Sequence, residues 1–336
     1  MISMRRFLNL TLATLALACS ALAQAPADLT SLHWNQGSDD CKAHPQPPLE
    51  VHAYDPQTFL LRENLCSTFE APFMYLLIGF DKALLIDTGD VADANAMPLA
   101  QTVMQLLPSK GQSKLPLLVV HSHRHLDHRA GDVQFANLPN VQVVGYDLDS
   151  VKKYFAFTDW PNGHAQIDLG GRTVDVVPAP GHSTTDVVYY DNNTGLLFSG
   201  DFLMPGRLLV DNADLYLASS RRVADFVRQR PVRYVLGGHI ELDSSGQTLP
   251  WQSQYHPNER TLPLSKDDVL ALPAAIEQFN GFYSSSGHFI MMNSMRILKL
   301  SAVLAVAITI AIIVAVVVFV RRWRRRRRAA ALTPAA

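Results

Sequence analysis

Four of the chain's 12 histidines fall in one eight-residue window, His121-Ser122-His123-Arg124-His125-Leu126-Asp127-His128. Imidazole nitrogens and carboxylates are ligands that zinc accepts readily, and three or four that converge make a site. His123 and His125 are two apart, so in an extended segment both side chains point the same way. Asp127 and His128 add a second pair, and one loop can then address two adjacent cations. The apolar run 117–120 just upstream reads as a strand, and imidazoles buried beside it need charge compensation or a metal.

Three further candidates each follow an apolar run and sit beside glycine: Pro180-Gly181-His182, Ser199-Gly200-Asp201 and Gly237-Gly238-His239. One such histidine alone would say little. Ligand-bearing loops that each follow a strand point to a common site, because parallel strand ends bring their loops to one edge. Strands are expected at 59–62, 74–80, 83–86, 117–120, 141–145, 174–177, 187–190, 196–199 and 234–236, rich in β-branched and aromatic residues. Helical spacing of apolar residues covers 93–107, 149–156, 221–230 and 266–279. Strands with interspersed helices predict an α/β fold of layered sheets.

The order His-x-His-x-Asp-His, then a glycine-preceded His, an Asp and a late His resembles the metallo-β-lactamase-fold hydrolases. Leu84-Leu85-Ile86-Asp87-Thr88-Gly89 resembles that family's first motif, and the match runs in order over residues 74–242. The resemblance implies an αβ/βα sandwich of two mixed β-sheets flanked by helices, with two zinc ions at one sheet edge and iron or manganese as alternative occupants. It implies that one ion takes His123, His125 and His182, that the other takes Asp127, His128 and His239, and that Asp201 bridges them. Asp87 would orient ligands without binding metal; His121 lies outside the motif and is expected to orient or support. Two such ions lower the pKa of a shared water from about 15.7 to near 7 and polarise a substrate carbonyl. Asp127 is the expected catalytic residue, orienting the hydroxide and passing its proton to the leaving group.

Departures from the family narrow the choice. Asp201 stands where cysteine-ligated β-lactamases would carry Cys, and the spacing of 38 positions from Asp201 to His239 leaves no room for a nuclease insertion. The bridging-Asp set most resembles glyoxalase II and the acyl-homoserine lactonases. The lactonases commonly carry Tyr where Met204 stands, and the basic C-terminal domain of glyoxalase II is missing. The expected activity is therefore hydrolysis of a small ester, thioester, lactone or amide. A β-lactamase-type antibiotic hydrolase and a mononuclear iron oxidoreductase on the same fold are the alternatives. No nucleophile elbow, phosphate loop or dinucleotide fingerprint supports other chemistry.

The ends of the chain speak to location. Residues 1–23 carry a basic start, an apolar run and Ala21-Leu22-Ala23, the layout of a signal peptide. Residues 300–320 hold no charge and precede seven arginines between Arg321 and Arg328. That reads as a membrane helix followed by a basic cytoplasmic tail at 321–336, which places the body outside the cytoplasm. The hydrolase domain is expected at 24–280, with a connector at 281–299. With the terminal cations set aside, 18 basic residues face all 30 acids over 24–295, a net −12 that excludes nucleic acid as partner. The partners expected are a small-molecule substrate and, through the C-terminal helix, the membrane. Cys41 and Cys66 form an even pair suited to a disulfide in an oxidising space. Trp34, Trp160 and Trp251 are expected to pack in core or loops, and His164 and His256 to lie at the surface.

Overall fold

Strands β1 (Leu49–Asp55), β2 (Thr58–Glu63), β3 (Phe73–Ile78) and β4 (Ala83–Ile86) run as an antiparallel meander. Helix α1 (Leu99–Leu106) and a small hairpin, β5 (Ser109–Lys110) with β6 (Ser113–Lys114), lead to β7 (Leu117–Val120) and β8 (Val141–Val143), which extend the sheet by parallel pairs. After α2 (Leu148–Tyr154), a second sheet forms from β9 (Ala165–Asp168), β10 (Thr173–Pro178), β11 (Val187–Asp191) and β12 (Leu196–Gly200). Strand β13 (Arg207–Leu209) and α3 (Ala213–Arg228) follow, and β14 (Tyr234–Gly237) joins β12 in parallel. Helix α4 (Lys266–Glu277), β15 (Tyr283–Ser285), β16 (Ile290–Met292) and α5 (Ser294–Ala331) complete the chain. These elements belong to a computed structural model that describes residues 25–331; the expected leader at 1–23 and the last five residues lie outside the described residues.

Side-chain alternation sets the layers. Phe73, Tyr75 and Leu77 of β3 face inward against Val174, Val176, Tyr189 and Phe198 of the second sheet. Met74, Leu76 and Ile78 face outward against Leu99, Ala100 and Val103 of α1. On the other side, Val177, Val188, Leu197 and Val235 meet Tyr216, Val223 and Val227 of α3 and Val269, Leu272 and Ile276 of α4. Both faces of both sheets are covered, so the central strands read as continuous apolar runs. The layers are helix, mixed sheet, mixed sheet, helix. Helix α4 starts on a capping box, in which the Ser265 hydroxyl and the Asp268 carboxylate each serve the other's backbone N–H.

Two expectations need correction. Residues 281–292 are part of the folded body: β16 pairs with β13 in parallel and buries Phe289, Ile290 and Met291. Helix α5 then starts at Ser294, so the expected connector at 281–299 is strand and helix. His256 is buried, with Nδ1 3.1 Å from the Glu259 carboxylate. Cys41 and Cys66 are joined by a disulfide with Cα atoms 5.5 Å apart.

Glu259 anchors a buried ion pair. The Arg62 guanidinium donates two bonds of 2.7 Å to its carboxylate, tying β2 to the segment beyond β14. Burial alone would raise the Glu259 carboxyl, but Arg62 and His256 hold it below its ordinary range. Replacing Arg62 by Met leaves that charge inside without its main partner. The expected loss is about 3–5 kcal/mol of stability, read as a lower denaturation midpoint for the full chain in detergent.

Candidate metal centre

Every ligand candidate lies just beyond the C-terminal end of a strand, and those ends share one edge of the sandwich. The loop after β7 carries His121 to His128 and closes in a 3₁₀ turn over Leu126–His128. His182 follows β10, Asp201 follows β12 and His239 follows β14. Strands β10, β12 and β14 all run the same way, and Phe73 N–H donates 2.8 Å to the Gly238 carbonyl to lock the two sheets at this edge.

Glycine permits the close approach. A Cβ at Gly238 would lie 2.3 Å from Asp201 Oδ1 and 2.7 Å from His128 Cε1. At Gly200, with φ +50°, it would lie 2.5 Å from Ser122 Cβ. The glycines beside the ligands thus leave room for them.

Two clusters result. His125 Nδ1 lies 2.9 Å from His123 Nε2 and 2.9 Å from His182 Nε2. In the other, His128 Nε2 and His239 Nε2 are 3.1 Å apart, and Asp127 Oδ2 is 3.5 Å and 3.4 Å from them. Asp201 stands between: its Oδ2 is 3.5 Å from His182 Nε2, and its Oδ1 is 3.4 Å from His128 Nε2 and 3.5 Å from His239 Nε2. Asp201 Oδ1 is buried and has no hydrogen-bond partner. Ligands tetrahedral about a zinc at 2.0–2.1 Å are spaced about 3.4 Å apart. Both clusters therefore suit a divalent cation.

The outer nitrogens are held from behind. His128 Nδ1 donates 3.0 Å to Asp87 Oδ2, which leaves Nε2 as the inward lone pair. Asp87 also accepts the Ser122 N–H at 2.6 Å and its hydroxyl at 2.7 Å, from a backbone at φ +66°. Such a conformation costs a non-glycine residue about 1–2 kcal/mol, which these bonds offset. His239 Nδ1 donates 2.7 Å to the Glu70 carbonyl. His121 turns away from the clusters: its Nε2 pairs with Asp132 at 2.9 Å, and its carbonyl accepts the Tyr189 hydroxyl.

Several contributors left no mark in the sequence. The Asp186 carboxylate accepts N–H bonds from Gly181 and Ser183 and shapes the His182 loop; burial raises its pKa well above the carboxylate range. Ser219 of α3 donates 2.7 Å to the Pro180 carbonyl on the same loop. Glu63 is pushed up to about 8 by burial and accepts the N–H groups of Asp90 and Val91. A cleft of about 430 Å³ opens over His125, Asp127, His182, Asp201 and His239, walled by Glu70, Met204, Arg207, Leu209, Glu241, Trp251, Met292 and Ser294. Trp251 is 60% exposed there, whereas Trp34 is core. Only their shared surroundings in three dimensions mark these residues.

Burial also sets protonation. It drives His123 well below the ordinary imidazole range and His182 to about 4. Burial alone would raise Asp127, but the facing His128 and His239 hold it down to about 2.

A model of the metallo-beta-lactamase superfamily matches residues 67–239, just over half of the chain. The chain belongs to that superfamily. It is 25% identical over 231 residues to the acyl-coenzyme A thioesterase MBLAC2 of Gallus gallus, covering 59% of this chain and 82% of that one. It is 31% identical over 131 residues to a hydroxyacylglutathione hydrolase of Anaeromyxobacter dehalogenans (strain 2CP-C), covering 39% and 46%. A solved metallo-beta-lactamase from Erythrobacter litoralis aligns at TM-score 0.49 and 14% identity over 69% of this chain and 97% of that one. As a member of the superfamily with hydrolase relatives, the protein is a hydrolase, and its edge cluster is a His/Asp metal-binding group.

Two outcomes are expected of this superfamily site. Asp87→Asn keeps the shape but removes the carboxylate behind His128; metal affinity should fall about 10–100-fold, read by chelator competition. In the metal-free chain, His182 stays neutral down to about 4, whereas an unfolded histidine protonates near 6.5. Its stabilising contribution is complete above pH 6.5 and is lost progressively as pH falls through about 4. Midpoints measured across that window should fall less steeply in His182→Gln.

Proposed function

We propose that the chain is a membrane-tethered, extracytoplasmic hydrolase that holds two zinc ions and cleaves an acyl bond, with a thioester as the leading substrate. The observation that carries this reading is the position of Asp201, one oxygen toward each cluster, on the floor of an open cleft. In this reading His123, His125 and His182 hold one ion, Asp127, His128 and His239 hold the other, and Asp201 touches both. Bound there, zinc would supply Lewis acidity toward the substrate carbonyl and toward water.

The protein's own groups supply the rest. Asp127 is ionised at neutral pH and partly open to the cleft; with its Oδ2 turned to the ion, the other carboxylate oxygen can take a proton from the attacking water. Water oxygen bonds to the acyl carbon, the carbon–sulfur bond breaks, and the departing thiolate receives that proton. Asp87 and the Glu70 carbonyl keep the His128 and His239 rings aimed inward throughout. Two relatives that bear thioesterase and hydroxyacylglutathione hydrolase names favour a thioester. Met204 walls the cleft where the lactonases would offer a phenol, which favours it further.

Location follows from the ends. Helix α5 is long and apolar enough to cross a membrane. The arginines from Arg321 to Arg328 support a cytoplasmic far end and an external hydrolase domain, by the bias of basic residues toward the cytoplasmic side. The disulfide between Cys41 and Cys66 suits an oxidising compartment. A leader at 1–23, a membrane segment at 300–320 and a basic tail at 321–336 complete the proposed layout.

Asp127→Asn tests the proton role. Thioester turnover should fall by about 10²–10⁴ with metal content retained. Near-normal turnover in a fully loaded variant would contradict the role given to Asp127.

A further inference from the structure

The membrane helix grows straight out of the wall of the cleft. Met292, the last residue of β16, and Ser294, the first of α5, both line it. Only Asn293 separates them, and it is fixed: its Nδ2 donates 3.0 Å to the Val210 carbonyl, and its Oδ1 accepts the Arg296 N–H at 2.8 Å. The Val210 N–H donates 2.8 Å to the Met292 carbonyl, so the junction is stitched to β13. No flexible linker intervenes.

Distance then places the cleft. Residues 294–299 form less than two helical turns, about 9 Å at 1.5 Å per residue, before the uncharged run begins. The head-group layer on each side of a bilayer is about 5–8 Å thick. The cleft wall at Ser294 therefore stands at the outer surface of the lipid head groups. Its neighbours suit that level: Phe282 and Tyr283 are exposed beside the root of α5, with Met295 and Leu298 on the stem. Aromatic side chains favour this interface, and Arg296 and Lys299 can meet lipid phosphates.

Away from the His/Asp floor the cleft has an apolar wall of Met204, Leu209, Trp251 and Met292, beside which Arg207 and Glu241 pair with each other at 2.7 Å and Glu70 completes the rim. Its volume of about 430 Å³ admits a ligand group of moderate size. We infer that the substrate is a membrane-partitioned acyl amphiphile, whose chain lies along this apolar wall while its carbonyl reaches Asp127, entering along the bilayer surface. The inference rests on the hydrolase and membrane readings above and adds the substrate class and its route.

The test uses the full chain in phosphatidylcholine vesicles, with a Gly/Ser insert of twenty residues after Lys299. Such an insert spans about 25 Å root-mean-square, leaves the cleft wall intact and lets the cleft leave the membrane. Hexadecanoyl and acetyl thioesters of N-acetylcysteamine are compared. The insert should lower hexadecanoyl turnover about tenfold, because the effective substrate concentration is lost, and leave acetyl turnover unchanged. Equal effects on both probes, or no effect on the long one, would overturn the inference. An independent readout is the Trp251 share of the fluorescence, taken as the difference between Trp323→Phe and Trp323→Phe/Trp251→Phe chains because Trp34 and Trp160 also emit, with head-group nitroxide lipid as quencher. Quenching in the parent and relief by the insert support the placement; absence of quenching in the parent overturns it. A parent that hydrolyses neither probe would sink the thioesterase reading instead, while the fluorescence still judges the placement.

Discussion

Buried acceptor groups that face one another are the constraint around which this molecule is organised. Five imidazoles and two carboxylates crowd one sheet edge, their inward nitrogens and oxygens mostly 2.9–3.5 Å apart. Burying so many acceptors together in a region of low polarity is costly. Cations reverse the sign of that interaction. The surroundings are built for them: Asp87 and the Glu70 carbonyl claim the outer nitrogens of His128 and His239, and Asp186 fixes the loop of His182.

The fold serves this edge by direction. Strands β4 and β7 in one sheet, and β10, β12 and β14 in the other, end at the same rim and deliver Asp87, the His121–His128 loop, His182, Asp201 and His239. Stability is kept elsewhere, in three apolar clusters and in the Arg62–Glu259 and Arg172–Asp191 pairs, both buried. A rigid sandwich can hold a strained Asp87 and a dense set of acceptors because its layers do not depend on them.

Much of this was legible in residue order, and the parts that were not share a reason. The central strands could be read because burial on both faces makes them uninterrupted apolar runs. Strand β1 escaped because His52 and Asp55 break its pattern at the sheet's edge, and β15 because Tyr-Ser-Ser signals a loop. Helix α3 begins eight residues before the expected 221, since its first turns bury Ser219 and Ser220, whose hydroxyls bond to carbonyls. The seven ligand candidates were visible through their spacing and adjacent glycines. Asp186, Glu63 and Trp251 were not, because an isolated acid or aromatic carries no sign of what it will face. His256 reads as a surface residue because its partner, Glu259, looks equally polar in sequence.

Two cations shared among seven side chains are the centre of the proposed function. Anomalous scattering at the zinc edge, from crystals of the zinc-loaded protein, tests this most directly. The account predicts two peaks about 3.5–4 Å apart, one amid His123, His125 and His182, the other amid Asp127, His128 and His239, with Asp201 reaching both. A single peak, or peaks away from Asp201, would contradict it.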